Sequence, residues 1–245
     1  MNVNQNLSTK NIPAHERLIF ALDVPSTEAA KQLVETLGDS VTFYKLGLEL
    51  FMAGGYFELI DWLNQRGKKV FVDLKFHDVP QTVQSAIRQL AKYPGVTFAT
   101  VHAVDSLLTA ACEVKQHLKI LAVTALTSLD KGDLQDLGFQ VDVDQIVLSR
   151  AKRALQLGCD GVISSGLEAL VLRESLGDRL IVITPGIRPV QNTDDQKRTV
   201  NVEQAFLNGA DYIVVGRPIK EHHGFATPQA AAESIQNNIR TLFAT

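Results

Sequence analysis

A short charged stretch after the third apolar run of the chain carries groups that could transfer a proton. Residues 69–72 have the pattern of a buried strand. Asp73, Lys75 and Asp78 follow it, before Pro80, which suits the first turn of a helix. Alternation along a strand places Asp73 and Lys75 on the same side, close enough to interact. Such a pair could hold a carboxylate beside a reacting anion and keep an ammonium ready as a proton donor.

Asp78 has a second interpretation that the residue pattern leaves open. It could be the N-cap of the helix that follows, with Gln81 three residues later completing a capping box. This interpretation accounts for Asp78 alone, because a cap explains neither Asp73 nor Lys75.

Eight apolar runs of strand length alternate with segments of helical pattern. They begin at about residues 17, 40, 69, 97, 119, 160, 180 and 211. This alternation predicts a single-domain α/β protein with a parallel sheet, and eight units predict closure into a (β/α)8 TIM barrel. An open, doubly wound sheet is the alternative, but it usually has a glycine-rich turn after its first strand, where this chain has Asp23-Val24-Pro25. The last helix should begin at Thr227-Pro228.

Composition restricts the class of protein. The 245 residues, 45% of them hydrophobic, suffice for one barrel over residues 15–245, preceded by a flexible polar tail over residues 1–14. The net charge of −3 gives no sign of a nucleic-acid or anionic-membrane partner, and no apolar run has the length of a membrane helix. The polar start is unlike a signal peptide, so we expect a cytoplasmic protein. Cys112 and Cys159 are expected to be buried free thiols.

Barrel topology would bring the polar residues that end the strands to one rim. These residues are Asp23, Lys45, Asp73, Lys75, His102, Thr127, Ser128, Arg188 and Arg217. Any one of them could be a solvated or capping residue, but their joint occurrence favours a functional site. Lys45, Asp73, Lys75 and Asp78 alternate in sign and would keep one another ionised in a partly desolvated pocket. His77 and His102 lie at no standard metal spacing, so we expect no metal site.

Two neighbouring turns pair glycine with arginine. The segment 185–189, Pro-Gly-Ile-Arg-Pro, follows the seventh run, and Gly216-Arg217-Pro218 follows the eighth. Phosphate sites of barrels commonly lie in this region, where glycines expose backbone N–H groups and a helix start adds positive potential. One such turn could be ordinary, but two indicate a phosphate group. The polar residues 190–199 could be a solvated loop or a lid over that site.

The motif Asp-x-Lys-x-x-Asp-x-Pro-x-Thr at residues 73–82 resembles the signature of the orotidine 5′-phosphate decarboxylase family. The resemblance extends from Leu18 to the C-terminal helix. It also covers segments 21–23, 45–47, 101–103, 126–128, 184–189, 195–198 and 215–218. It implies a homodimeric barrel that converts orotidine 5′-monophosphate to uridine 5′-monophosphate and CO2 in pyrimidine biosynthesis, without a metal or an organic cofactor.

The resemblance also implies a role for each matching residue. Asp73 would face the substrate carboxylate, and Lys75 would protonate C6 of the pyrimidine. Lys45 would bind the ribose and hold the charged row, whereas Asp78 and Thr82 would reach the ribose in the partner's site. The remaining substrate contacts would be Asp23 at the ribose, Thr127 and Ser128 at the pyrimidine edge, and Pro185, Arg188, Gln196, Gly216 and Arg217 at the phosphate end.

Two alternatives remain open at this point. Mg2+-dependent sugar-phosphate decarboxylases and lyases of the same suprafamily share the Asp-x-Lys-x-x-Asp core. They carry a metal-binding Glu where this chain has Lys45 and lack the pattern of Pro80 and Thr82. A non-catalytic phosphate-binding barrel is the alternative from another class, because a fold and a phosphate site alone do not make an enzyme.

Overall fold

The predicted barrel is confirmed. A computed structural model of the chain describes residues 6–129, 131–136, 138, 140–187, 199–222 and 224–244. Within these residues, eight parallel strands close into one barrel in chain order. They are β1 Leu18–Ala21, β2 Phe43–Leu46, β3 Lys69–Phe76, β4 Val96–His102, β5 Lys119–Val123, β6 Gly161–Ile163, β7 Ile181–Thr184 and β8 Tyr212–Val215.

Helices cover the outside of the barrel and connect successive strands. They are α1 Thr27–Leu37, α2 Leu48–Ala53, α3 Tyr56–Gln65, α4 Pro80–Leu90, α5 Asp105–Cys112, α6 Lys131–Asp136, α7 Val143–Gln156, α8 Ala169–Leu176, α9 Val202–Leu207, α10 Arg217–Lys220 and α11 Pro228–Leu242. The predicted start of the last helix is confirmed, since the Thr227 hydroxyl accepts the Ala230 N–H at 3.1 Å with Pro228 in the first turn.

The strands are apolar on both faces because the sheet is buried on both sides. One cluster of side chains fills the barrel interior, where Phe43 stacks on Phe98 with ring centroids 5.2 Å apart and Tyr212 meets both rings edge-on. A larger cluster fills the space between strands and helices. These two layers fix the strand ends and therefore the rim on which the polar residues lie.

Part of the predicted tail lies against the amino-terminal mouth of the barrel. The fully buried carboxylate of Asp211 accepts the Ser8 hydroxyl, and it pairs with Lys10 at 3.1 Å and Arg173 at 2.6 Å. A buried carboxylate needs such partners, and the two cations come from distant parts of the chain. Ser8 and Lys10 of the predicted tail therefore contact the barrel, while residues 1–5 lie outside the described part of the chain.

The two cysteines are free, as predicted, although Cys112 is only half-buried. Their sulfur atoms lie 3.6 Å apart, where the end of α5 meets the segment that leads into β6. No helix among the described residues is both long and apolar enough to cross a membrane.

Candidate active site

A cavity of about 330 Å3 opens at the carboxyl ends of the strands. Four predicted residues line one side of it: Asp23, Lys45, Asp73 and Lys75. They come from three consecutive strand ends, β1 to β3, which barrel closure holds next to one another. Parallel strands with matched registers thus bring together residues that are up to 52 positions apart in sequence.

The Asp73 carboxylate lies between two ammonium groups. Its Oδ2 atom is 2.9 Å from Lys75 Nζ and 3.6 Å from Lys45 Nζ, and Lys45 Nζ also donates to Asp23 Oδ1 at 3.1 Å. The side chains of Lys45 and Asp73 are each only 12% exposed. The predicted proximity of Asp73 and Lys75 is confirmed, and the charges alternate along the row Asp23–Lys45–Asp73–Lys75.

The environment of Asp73 keeps it ionised. Burial alone would raise the pKa of this carboxyl, but the charges of Lys45 and Lys75 and hydrogen bonds from Lys75 and Thr100 outweigh burial and hold the pKa below its ordinary value. A carboxylate that stays charged beside an ammonium can repel another carboxylate while the ammonium supplies a proton.

The end of β3 departs from a regular strand. Val72 lies opposite Ala99 of β4, and Phe76 lies opposite Val101, so three residues of β3 correspond to one residue of β4. Lys75 has a φ of +48°, in the left-handed region that non-glycine residues rarely adopt. The bulge, rather than the alternation of an ideal strand, therefore determines how Lys75 faces Asp73.

Asp78 and Thr82 do not join this group within one chain. Both are exposed, and neither is among the described residues that line the cavity. The capping interpretation of Asp78 is wrong, because the N-cap of α4 is Val79 and no side chain caps that helix. Asp78 Oδ1 instead accepts the Val79 N–H at 2.6 Å, because Pro80 at the first helical position places the N-cap one residue beyond Asp78.

A second side of the cavity is formed by the loop after β5, which includes the predicted residues Thr127 and Ser128. The strand end before this loop is anchored by Thr124: its hydroxyl donates to the Ile163 carbonyl at 2.9 Å, and its own carbonyl accepts from the Arg150 guanidinium. Hydroxyl groups at such an edge can both donate and accept hydrogen bonds.

The third side consists of the turns after β7 and β8. Pro185, Gly216 and Arg217 line the cavity there, as predicted. A Cβ atom added at Gly216 would lie 3.2 Å from the Cβ atom of Ala21, so glycine lets the backbone pass close to β1. Two predicted residues, Arg188 and Gln196, and positions 190–198 of the predicted lid lie outside the described residues.

Sequence reasoning missed two polar residues of this region, Lys220 and Thr100. Lys220 lines the cavity, and its ammonium donates to the Asp23 carbonyl at 3.0 Å. Its position three residues after Arg217, on a short helix that begins at the rim, was the available signal. Thr100 is fully buried and forms hydrogen bonds with both Asp73 and Lys75. No sequence motif indicates this role.

The two histidines near the rim lie side by side. The rings of His77 and His102 have centroids 4.7 Å apart and are tilted by 32°. Burial, together with the neighbouring His77, Lys75 and Arg150, lowers the pKa of His102. Among the described residues, no group of three or more His, Cys, Asp or Glu side chains could hold a metal ion.

Comparisons with known proteins show which family the chain resembles. The model of the Orotidine 5′-phosphate decarboxylase / HUMPS family matches residues 16–235. The orotidine 5′-phosphate decarboxylase of Methylococcus capsulatus is 60% identical over 97% of this chain and 98% of its own. That of Xanthomonas axonopodis pv. citri is 50% identical over 94% of each chain. The crystal structure of the Lactobacillus acidophilus orotidine 5′-phosphate decarboxylase is similar with a TM-score of 0.81, 37% identity, and coverage of 91% of this chain and 99% of that one.

Proposed function

The chain belongs to the Orotidine 5′-phosphate decarboxylase / HUMPS family, and on that premise we propose that its rim cavity converts orotidine 5′-monophosphate to uridine 5′-monophosphate and CO2. One observation supports this most strongly: the Asp73 carboxylate lies between the ammonium groups of Lys75 and Lys45 inside a ligand-sized cavity. The activity is a step of pyrimidine biosynthesis, and its soluble nucleotides fit the expected cytoplasmic location.

The proposed reaction replaces the C6 carboxylate of the substrate with hydrogen. The substrate carboxylate lies against Asp73, so its departure as CO2 relieves the repulsion between like charges. The electron pair of the broken bond remains at C6 and takes a proton from the Lys75 ammonium. The Lys75 side chain is 35% exposed, which allows the resulting amine to regain a proton from water.

Several groups must contribute to lowering the activation barrier. The carbanion at C6 has no electron sink, and enzymes lower barriers by about 8–23 kcal/mol, whereas one well-placed donor contributes only about 3–4 kcal/mol. Contacts remote from C6 therefore have to orient the ring. Asp23 and Lys45 serve the ribose, Thr127 and Ser128 serve the pyrimidine edge, and the turns after β7 and β8 serve the phosphate. Arg217 supplies a planar fork suited to phosphate oxygens.

We further propose a homodimer in which Asp78 and Thr82 reach the ribose of the partner's site. Large apolar side chains are exposed on α2, on α3 and beside α4, including Met52 at 79% and Val79 at 62%. An apolar cavity of about 420 Å3 lies in the same region, lined by Phe51, Phe57, Leu74, Phe76 and Tyr93 among others. A second copy of the chain would cover this surface and carry the exposed Asp78 across to the neighbouring cavity.

A mixed dimer tests this division of labour. Chains carrying Lys75→Ala and chains carrying Asp78→Ala should each be inactive alone. After unfolding and refolding together in equal amounts, half of the dimers should be mixed, each with one complete site. We therefore expect about one quarter of the wild-type turnover. No recovery, with both variants still dimeric, would contradict the sharing of sites.

The activity itself is tested by mixing the purified protein with orotidine 5′-monophosphate and EDTA and following the pyrimidine absorbance. We expect turnover that the chelator does not change. Loss of turnover in EDTA would favour the Mg2+-dependent alternative, although that chemistry places an acidic ligand where Lys45 contacts Asp23 and Asp73. Absence of any turnover, with nucleotide still bound, would favour the alternative of a non-catalytic phosphate-binding barrel.

A further inference from the structure

Thr100 occupies a special place in the sheet. It is the single β4 residue between the register pairs Val72–Ala99 and Phe76–Val101, and residues 73–75 of β3 lie across from it. In a regular ladder, the backbone N–H and C=O groups of residues 73–75 would each pair with β4. The backbone of Thr100 alone cannot pair with all three residues. The side chain of Thr100 supplies part of what the ladder lacks, because its Oγ1 accepts the Lys75 N–H at 3.0 Å.

The direction of both hydrogen bonds follows from the groups involved. A backbone N–H can only donate and an ionised carboxylate can only accept, whereas a hydroxyl does both. Thr100 Oγ1 therefore accepts from Lys75 N and donates its own hydrogen to Asp73 Oδ1, also at 3.0 Å. This leaves Oδ2 of Asp73 facing the two ammonium groups, Lys75 at 2.9 Å and Lys45 at 3.6 Å.

The Thr100 hydroxyl thus fixes the positions of two residues. It orients the carboxylate plane of Asp73, and it holds the backbone of Lys75 in the left-handed conformation from which its side chain returns to Asp73. Thr100 is fully buried, so water does not readily replace its hydroxyl. Its β-branched side chain also has few rotamers, which favours a fixed hydroxyl position on a strand.

We propose that Thr100 is a positioning residue, whose hydroxyl sets the distance and direction between the Asp73 carboxylate and the Lys75 ammonium in the reaction. This inference rests on the proposed function for the role of Lys75, and it extends that function to a residue outside the cavity lining. Thr100 does not touch the substrate; it acts through the two residues that do.

The test compares one substitution that keeps the shape of threonine with one that keeps its hydroxyl. Thr100→Val keeps the shape and removes the hydroxyl, and it should lower kcat about 10–100-fold while the Kd for uridine 5′-monophosphate changes less than about threefold. Thr100→Ser keeps the hydroxyl and should stay within about threefold of wild type. Thr97→Val on the same strand is the matched control and should leave kcat unchanged. If the Val variant fails to bind nucleotide, Thr100→Ala takes its place.

Two further readouts separate positioning from general stability. The acid limb of kcat/KM should move to higher pH in the Val variant only, because Asp73 loses a hydrogen bond to its ionised form. Hydrogen exchange at the Lys75 amide should accelerate in that variant and stay slow with serine. The exchange result needs no turnover, so it tests the hydrogen bond from the Lys75 N–H to Thr100 even if wild-type protein fails to decarboxylate and the proposed function falls. Equal kcat and equal exchange in the Val and Ser variants would overturn the inference.

Discussion

Replacing Lys45 with methionine would remove the charge that links two carboxylates of the site. Lys45 Nζ lies 3.1 Å from Asp23 Oδ1 and 3.6 Å from Asp73 Oδ2. Methionine has a similar length and no charge, so the packing of the β2 end is largely retained. Asp73 would then keep Lys75 as its only cationic partner among the described residues. The row of alternating charges would lose the cation between Asp23 and Asp73.

The size of the effect follows from the distance between Lys45 and Asp73. Two unit charges 3.6 Å apart interact with about 1 kcal/mol at the dielectric constant of water and about 5 kcal/mol at an effective value of 20. Both side chains are only 12% exposed, so the upper part of this range applies. Protonation of Asp73 becomes easier by that free energy. Since the ionised carboxylate is the working form, the acid limb of kcat/KM should move to higher pH, by up to about three pH units at about 1.36 kcal/mol per unit. The loss of kcat/KM should therefore be largest on the acid side of neutrality.

The assay is the pH profile of kcat/KM for orotidine 5′-monophosphate, measured for wild type and for Lys45→Met. Lys69→Met is the matched control, because Lys69 lies at the opposite end of β3 and pairs with Glu16 at 2.6 Å. The control should retain the wild-type profile. A wild-type acid limb and wild-type kcat/KM in Lys45→Met would refute the electrostatic reasoning for this site.

Three further predictions concern the phosphate, the barrel base and acid stability. Arg217→Ala should weaken binding of uridine 5′-monophosphate far more than binding of uridine, measured by calorimetry, and equal losses would remove Arg217 from the phosphate site. Asp211→Asn should lower the free energy of unfolding in urea by about 3–5 kcal/mol, since Lys10 and Arg173 would lose their shared carboxylate; a change below 1 kcal/mol would contradict this. Because the folded-state pKa of Asp73 is lowered, its ionisation stabilises the fold above about pH 4 and this stabilisation is lost as the pH falls through the folded pKa. The difference in unfolding free energy between wild type and Asp73→Asn should therefore shrink on acidification, and a difference independent of pH would argue against the charged network.

The barrel was predictable because its signal is local. Each parallel strand is buried on both faces and reads as a continuous apolar run, and eight such runs separated by helices leave few topologies. Chain order then placed Asp23, Lys45, Asp73 and Arg217 at one rim without knowledge of any side-chain contact. The eight-residue strand β3 is the exception, because its carboxyl end carries a bulge that chain order does not predict.

The remaining features depend on pairing between distant residues. The bulge opposite Thr100 arises from the register of β4 against β3, which alternation within β3 does not encode. The contact of Lys10 with Asp211 joins residues 201 positions apart, and a polar segment with one lysine gave no periodic signal for it. The spacing of Asp78 to Gln81 is that of a capping box, but Pro80 begins the helix and makes Val79 the N-cap.

The central claim is that Lys75 gives the proton that replaces CO2, and one substitution tests it directly. Lys75→Ala should bind uridine 5′-monophosphate measurably while single-turnover decarboxylation of orotidine 5′-monophosphate falls by at least about 1,000-fold, within the range that general acid catalysis and its electrostatics supply. Lys69→Ala, on the same strand, should decarboxylate at the wild-type rate. Decarboxylation by Lys75→Ala at the wild-type rate would contradict the assignment.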